Sequence, residues 1–314
     1  MYYLGFDVGG TNIKIGVINE DLKILRRSSM GFPKNLPADD VIALMADEAK
    51  SILTEMKLPP DKIERIGIAA AGSVDVSRGA IVYSHNLKFY NVPMVEMMRK
   101  HFPDTDINLI NDADAAALAE QRGGTFKGKN TAVLLTIGTG VGGAIILGGK
   151  LFKGGLGHGN EIGHITLMHG GPPCTCGNKG CMETLCSGTW IAVQGRETIA
   201  RNTRGMIYER AGGDIEKVDA KMVLDCARDG DTTAKEIFNE YIDYLSSAMA
   251  SLAVIFDPEV ISLGGGISLA GDFLFDPLRD LVARKSFFKI EHEILPAKFG
   301  NDAGIIGASL VSSI

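Results

Sequence analysis

Short apolar runs alternate along the chain with stretches whose apolar residues recur every three or four positions, the pattern of an α/β protein. Tyr2–Phe6 and Ile13–Ile18 read as strands on either side of a glycine turn. From Asp39 to Met56, apolar residues at 41, 45, 49, 52, 53 and 56 form the stripe of an amphipathic helix, which Pro59-Pro60 ends. Ile66–Ala70 and Ile107–Ile110 are short apolar strands, and Ala113–Gln121 is a helix. Thr131–Ile137 and Ala144–Leu147 form a second strand pair. Residues 150–186 are rich in Gly, Cys and His and show little periodicity. Helices follow over about 188–202, 219–229 and 232–256, then strand Val260–Leu263, helix 272–284, strand Ile294–Ala297 and a closing helix near 303–313.

Composition narrows the class. The 314 residues are 45% hydrophobic and 22% charged, which excludes disorder and leaves room for about two domains with cores of their own. A formal charge of −6 argues against nucleic acid or an anionic membrane as a partner. The first residues carry no basic, apolar leader, and the longest uncharged run, Thr131–Gly149, is broken by glycines. Five cysteines, four of them between 174 and 186, do not read as a disulfide framework. A cytoplasmic protein with no membrane partner is the expectation. Glycine is the outlier, 39 residues where an average near 7% would give about 22. With no collagen period, the surplus predicts many close backbone approaches.

One internal echo gives those approaches a purpose. Leu4-Gly5-Phe6-Asp7-Val8-Gly9-Gly10-Thr11-Asn12-Ile13 is strand, glycine turn, strand, and Leu135 to Ile146 repeats the plan around Gly138-Thr139-Gly140-Val141-Gly142-Gly143. Two copies predict two related lobes, each offering a phosphate-cradling hairpin to a shared cleft. Glycine lets backbone N–H groups reach phosphate oxygens, and Thr11, Asn12 and Thr139 add side-chain donors. Gly138–Gly143 also matches the dinucleotide fingerprint GxGxxG, but only four apolar residues follow before Gly148-Gly149, too few for the helix that fold requires. Gly123–Lys129 imitates a P-loop, yet Asn130 stands where Ser or Thr would hold magnesium, and a helix precedes it.

Three groups carry candidate chemistry. Asp7 ends the first strand, where a carboxylate holds Mg²⁺ through water or simply stabilises the turn. Asp112, between strand Ile107–Ile110 and an Ala-rich helix, is a general base for phosphoryl transfer to an alcohol or a helix N-cap. His164, Cys174, Cys176 and Cys181 complete a closed tetrahedral Zn²⁺ site, with Gly177 and Gly180 letting the loop wrap the ion. With no open position, that zinc is structural and holds the loop bearing Glu161, His164 and Glu183. Cys186 and Cys226 read as packed thiols.

Together these segments resemble the ROK family of sugar kinases, sugar-responsive repressors and uncharacterised proteins over almost the whole chain. Asp7-Val8-Gly9-Gly10-Thr11 resembles its first phosphate motif, Gly138–Gly143 its second and Asn111-Asp112-Ala113 its catalytic segment. Glu161-x-x-His164 with Cys174-x-Cys176-Gly-x-x-Gly-Cys181-x-Glu183 resembles its sugar and zinc signature, and Gly264-Gly265-Gly266 its nucleoside-side loop. The resemblance implies an actin/hexokinase-like (ribonuclease H-like) α/β fold of two lobes closing over ATP-Mg²⁺ and a hexose. Residues 1–115, with a closing helix at about 300–314, are the expected smaller lobe, and 116–299 the larger. Asn86, Asn111, Glu161, His164 and Glu183 are then sugar ligands, Gly72 lies near the sugar, and Asp112 is the base. At Ala71-Gly72-Ser73-Val74-Asp75 the family often has Pro before the Gly, a departure that bears on which hexose fits. The implied reaction is ATP-dependent phosphorylation of glucose at its 6-hydroxyl, with N-acetylglucosamine, N-acetylmannosamine, allose or fructose as alternative acceptors. A sugar-sensing repressor is the rival reading, but its DNA-binding segment would precede the first motif, and Asp7 is the seventh residue. A homo-oligomer, dimer or tetramer, is expected, with helix Ala234–Phe256 packed internally or at a subunit interface.

Overall fold

The computed structural model describes residues 1–155, 159–201, 203–289 and 292–311. The chain opens with β1 (Tyr2–Val8), β2 (Asn12–Asn19), β3 (Ile24–Gly31), α1 (Ala38–Glu55) and β4 (Ile63–Ala70). Three short strands follow, β5 (Ser73–Asp75), β6 (Ala80–Ser84) and β7 (Phe89–Val92), then α2 (Met94–Arg99), β8 (Asp106–Asn111) and α3 (Asp112–Gly123). Next come β9 (Ala132–Ile137), β10 (Val141–Leu147), the two-residue β11 (Lys150–Leu151), the helical turn α4 (Glu183–Cys186), α5 (Gly188–Arg201) and α6 (Met206–Ala211). The remainder is α7 (Ala220–Arg228), α8 (Thr232–Phe256), β12 (Val260–Gly264), α9 (Asp272–Lys285), β13 (Glu293–Pro296) and α10 (Ala303–Leu310).

These elements form two compact units. The first comprises residues 1–128, 150–160 and 298–314, the second 129–149 and 161–297. The boundary expected at 115/116 falls instead at 128/129. The reason is local: α3 runs unbroken to Gly123, so a cut at 115 would split one helix. The closing helix ends at Leu310, short of the expected 313, and residues 312–314 lie outside the described residues, as does Asn202 at the expected end of α5.

In the first unit the sheet order is β3-β2-β1-β4-β8. β1–β2–β3 are antiparallel, whereas β1, β4 and β8 run parallel with Val8 opposite Ala70 and Ala70 opposite Asn111. α1 forms where the stripe predicts it and buries Val41, Met45, Ala49, Ile52 and Leu53; Asp39 and Asp40 in its first turn suit the positive end of the helix dipole. Part of the glycine surplus is spent here rather than on ligands. A Cβ on Gly5 or Gly67 would strike the backbone of α10, and one on Gly307 would strike Ala115 of α3. Glycine lets this small-residue helix lie almost in contact with the sheet.

The second unit repeats the core order: antiparallel β10–β9, then β12 and β13 parallel to β9. Val133, Leu135 and Ile137 of β9 share one apolar core with α5, α7, α8 and α9. α8 packs internally: Tyr241, Leu245 and Met249 are fully buried, and Trp190 of α5 stacks on Tyr241. Among the described residues no helix is long and apolar enough to cross a membrane.

Candidate active site and metal centre

In the first unit, three parallel strands end level with one another, and each is followed directly by candidate chemistry. Gly9 follows β1, Ala71-Gly72 follows β4, and Asn111-Asp112 ends β8 and opens α3. Ligands of open α/β sheets bind outside these carboxyl ends. The turn of the first hairpin is closed by the Gly9 N–H donating to the Asn12 carbonyl at 3.0 Å, which leaves Thr11 and Asn12 exposed. Gly10 lies against Asn86, where an added Cβ would come 2.9 Å from the Asn86 Cβ. Only a glycine brings the proposed phosphate turn and the proposed sugar ligand this close.

The helix cap belongs to Asn111 and not to Asp112. Asn111 Oδ1 accepts from the backbone N–H groups of Ala113 (2.9 Å) and Asp114 (3.2 Å), so Asn111 is the N-cap of α3. Its Nδ2 donates to the Gly72 carbonyl at 3.1 Å, tying the β4 loop to the β8–α3 junction. Gly72 itself has φ +109°, and a Cβ there would press on Tyr83 and Ser84. Asp112 is the first residue inside the helix, half-buried, with Oδ1 also accepting from the Ala113 N–H at 2.9 Å.

Asp7 faces Lys14 across the hairpin, and Lys14 Nζ donates to Asp7 Oδ2 at 2.9 Å and to the Asn301 carbonyl at 3.0 Å. Sequence reasoning passed over Lys14, although strand alternation puts it directly opposite Asp7. A carboxylate anchored by one lysine and backed by Gly304 of α10 can hold a hydrated Mg²⁺ through water, so the donor chemistry fits that ion.

The second unit builds its hairpin differently. The turn Gly138–Gly140 is closed by the Gly138 N–H donating to the Gly140 carbonyl at 3.0 Å. β10 continues as strand to Leu147, so no dinucleotide helix follows. The Gly188 N–H at the start of α5 donates to the Gly138 carbonyl at 2.7 Å, and Thr189 Oγ1 donates to the Thr139 carbonyl at 2.6 Å. This brace was also missed; its only sequence signal is a Gly-Thr pair at a helix start. Glu183 Oε2 accepts the Val141 N–H at 3.0 Å, and any side chain on Gly140 would run into that carboxylate. Gly265, with φ +83°, turns the chain after β12 directly against Ile137, bringing Gly264–Gly266 beside the same hairpin.

Glu161 and His164 flank a short turn packed on β10: a Cβ on Gly163 would collide with the Val141 carbonyl. Desolvation raises the Glu161 carboxyl above its ordinary range, with His164 opposing the rise and Glu183 adding to it, although the residue is exposed at the surface. The Met182 N–H donates to the Ile165 carbonyl at 2.8 Å and Thr166 pairs with Cys181, so the His164 arm and the Glu183 arm run side by side.

The predicted metal ligands converge. The donor atoms of His164, Cys174, Cys176 and Cys181 all lie within 4.8 Å of one another. Cys176 Sγ and Cys181 Sγ are 3.7 Å apart, and Cys174 Sγ is 3.5 Å from His164 Nδ1. A tetrahedral Zn²⁺ with bonds of about 2.3 Å to sulfur and 2.0 Å to nitrogen requires edges of about 3.8 and 3.5 Å, so these donors fit it. Gly177 (φ +91°) and Gly180 (φ +70°) make the two reversals that bring the thiols round. Burial drives the Cys181 thiol up to about 12, whereas the Asn178 N–H lowers that of Cys176. A dication offsets the cost of gathering such thiolates.

Comparison with known proteins agrees with this layout. The model of the ROK family matches residues 3–313. Glucokinase from Thermotoga maritima is 35% identical over 311 residues, covering 98% of this chain and 96% of that protein. N-acetylmannosamine kinase from Escherichia coli O157:H7 is 28% identical, covering 99% and 98%. The crystal structure of a ROK family glucokinase from Streptomyces griseus, in complex with glucose and AMPPNP, superposes with a TM-score of 0.85 at 29% identity and covers 98% of each chain. The fold is of the actin/hexokinase-like class. A family match over nearly all 314 residues, on two units of that class with the motif residues gathered as described, makes this chain a member of the ROK family.

Proposed function

We propose that the protein is an ATP-dependent hexose kinase that phosphorylates glucose at its 6-hydroxyl, with Asp112 as general base. One observation carries the reading: Asn111 caps α3, so the adjacent carboxylate of Asp112 is not the cap, at the edge of the sheet where Gly10, Gly72 and Asn86 also gather. The glucokinase similarity supports the acceptor.

In this reading Asp112 accepts the hydroxyl proton as the oxygen bonds to the γ-phosphorus, and the bond from that phosphorus to the β–γ bridging oxygen breaks, so that ADP leaves with that electron pair. Asn86, Asn111, Glu161, His164 and Glu183 hydrogen-bond the sugar hydroxyls and hold the attacking oxygen in place. The turns closed by the Gly9 and Gly138 N–H groups present the N–H groups of Gly10 and Gly140, which cradle the phosphates with the hydroxyls of Thr11 and Thr139 and the Asn12 amide, and Gly264–Gly266 receives the nucleoside. Asp7 would hold Mg²⁺ through water, and the ion would supply positive charge to offset that of the phosphates. A structural Zn²⁺ would be held by His164 Nδ1 and the three thiolates, fixing the arms that carry Glu161 and Glu183 and leaving His164 Nε2 for the sugar.

ADP release across a panel of hexoses and N-acetylhexosamines, with Mg²⁺, tests the proposal. Glucose is expected to give the highest kcat/KM; preference for N-acetylmannosamine would move the acceptor, and no sugar-dependent release would end the kinase reading. Asp112→Asn should bind glucose normally and lose about 10²- to 10⁴-fold in kcat. Near-wild-type turnover in that variant removes Asp112 from the chemistry.

A further inference from the structure

Glu120, eight residues after Asp112 on α3, is completely buried yet carries a carboxylate that the proposed reaction does not use. Both oxygens are occupied. Oε2 accepts from the Thr125 N–H (2.8 Å) and Thr125 Oγ1 (3.0 Å), and Oε1 accepts from the Phe299 N–H (3.0 Å). Its backbone carbonyl accepts from the Gly124 N–H at 2.8 Å and the Phe126 N–H at 3.2 Å. Lys298 Nζ donates to the Gly123 carbonyl at 2.8 Å. Gly124 is required for this fit, since a Cβ there would strike the Glu120 carboxylate, and a Cβ on Gly123 would lie tight against Leu22 and the Phe299 ring.

The two segments held in this way are two of the four on which the chain passes between its units, the first and the last. It first leaves the first unit at 128/129, re-enters it for 150–160, and returns for the last time at 297/298. On the return, the Ala297 N–H donates to Leu263 of the second unit at 2.8 Å, and Phe299 is already bonded to Glu120 of the first; Lys298 alone lies between these bonds. On the way out, Gly124–Phe126 are bound to Glu120, and Gly128, with φ +78° and open space where a Cβ would point, is the last residue before the second unit.

We propose that Glu120 is a positioning residue: its carboxylate fixes the first and last crossings to the helix that presents Asp112, and so holds that helix and its base in place. The inference rests on the kinase reading for its catalytic consequence. An ordinary helix C-cap would bind Thr125; it would not also reach a backbone N–H 179 residues away.

The test uses the full chain with Glu120→Gln and Glu120→Ala. An amide has one accepting oxygen, so glutamine can satisfy Thr125 or Phe299 but leaves the other facing a donor. Hydrogen exchange should quicken about tenfold or more in both 124–126 and 298–300, while the glucose Kd, read by equilibrium binding, changes less than about threefold. In steady-state kinetics, kcat should fall about tenfold with little change in glucose KM, since small misplacement of reacting groups costs rate more than binding. Faster exchange confined to 124–126, or an unchanged kcat in both variants, overturns the proposal. If wild type shows no sugar-dependent ADP release, the kinase reading fails by itself. The exchange arm then still decides whether Glu120 joins the two crossings. Should Glu120→Ala not fold, Glu120→Gln carries the test.

Discussion

The two glycine hairpins are built on one plan and held in place by opposite means. In the first, four residues separate the last paired rung, Val8–Ile13; in the second, three separate Ile137–Val141. One rung below the turn, the first hairpin carries Asp7 opposite Lys14, whereas the second carries Thr136 opposite Gly142. The first therefore contains its own charge pair and is backed by Asn301 and by Gly304 of α10. The second is uncharged, and its rigidity comes from outside: Glu183 beneath Val141, and Gly188 and Thr189 gripping the turn. The proposed phosphate role would need fixed N–H groups, and the chain holds one hairpin by cross-strand chemistry and the other by a brace from outside it.

Removing the metal is expected to separate the two most sharply. Cys181→Ser, or chelation, would withdraw the proposed zinc centre, and a structural zinc of this kind can supply on the order of 10 kcal/mol to local folding. Zinc content should drop from about one per chain, amide exchange should quicken around Val141, Ile165 and Met182, and glucose binding should be lost. The rungs of β1–β2 should keep their protection. Full activity in a metal-free preparation would contradict the dependence. Glu183→Ala comes next: it deprives the Val141 N–H of its acceptor, a loss of about 1–3 kcal/mol, and glucose KM should rise about ten- to a hundredfold with the metal retained. An unchanged KM would show that the second hairpin needs no brace from this side chain. The smallest effect belongs to the first hairpin. Lys14→Met breaks a pair whose lysine is about a third exposed and whose aspartate is 18% exposed, so stability should change by no more than about 1 kcal/mol, less at high salt. The clearer readout is the Mg²⁺ concentration for half-maximal rate, which should shift because Asp7 loses its counterion. No shift would separate Asp7 from the metal.

Elements with a strong period were legible from the residues alone. The β1–β2 hairpin, α1, α8 and the β9–β10 pair stand within a few residues of their expected positions. Elements whose support lies far away in sequence were not. α6 has no side-chain cap of its own, and the Met206 N–H is taken by Asp231, 25 residues on. The small sheet β5–β6–β7 is built from strands of three to five residues, too short for alternation to register. The glycine count was read as ligand contact, but Gly5, Gly67 and Gly307 serve helix-on-sheet packing, because close approach of two backbones asks for the same residue as close approach of a phosphate.

The sequence by itself determined which residues can do chemistry: four metal donors at closed-site spacing, two glycine turns, and a carboxylate at a strand–helix junction. Those signals are local, set by backbone geometry and ligand chemistry within a few residues. Only the tertiary structure decided how they are held. It assigned the helix cap to Asn111, paired Lys14 with Asp7, put Glu183 under the second hairpin and brought Phe299 back to Glu120. Each of these is a hydrogen bond or ion pair whose partners are chosen by chain topology, and no periodicity along the sequence encodes a contact between residues 120 and 299.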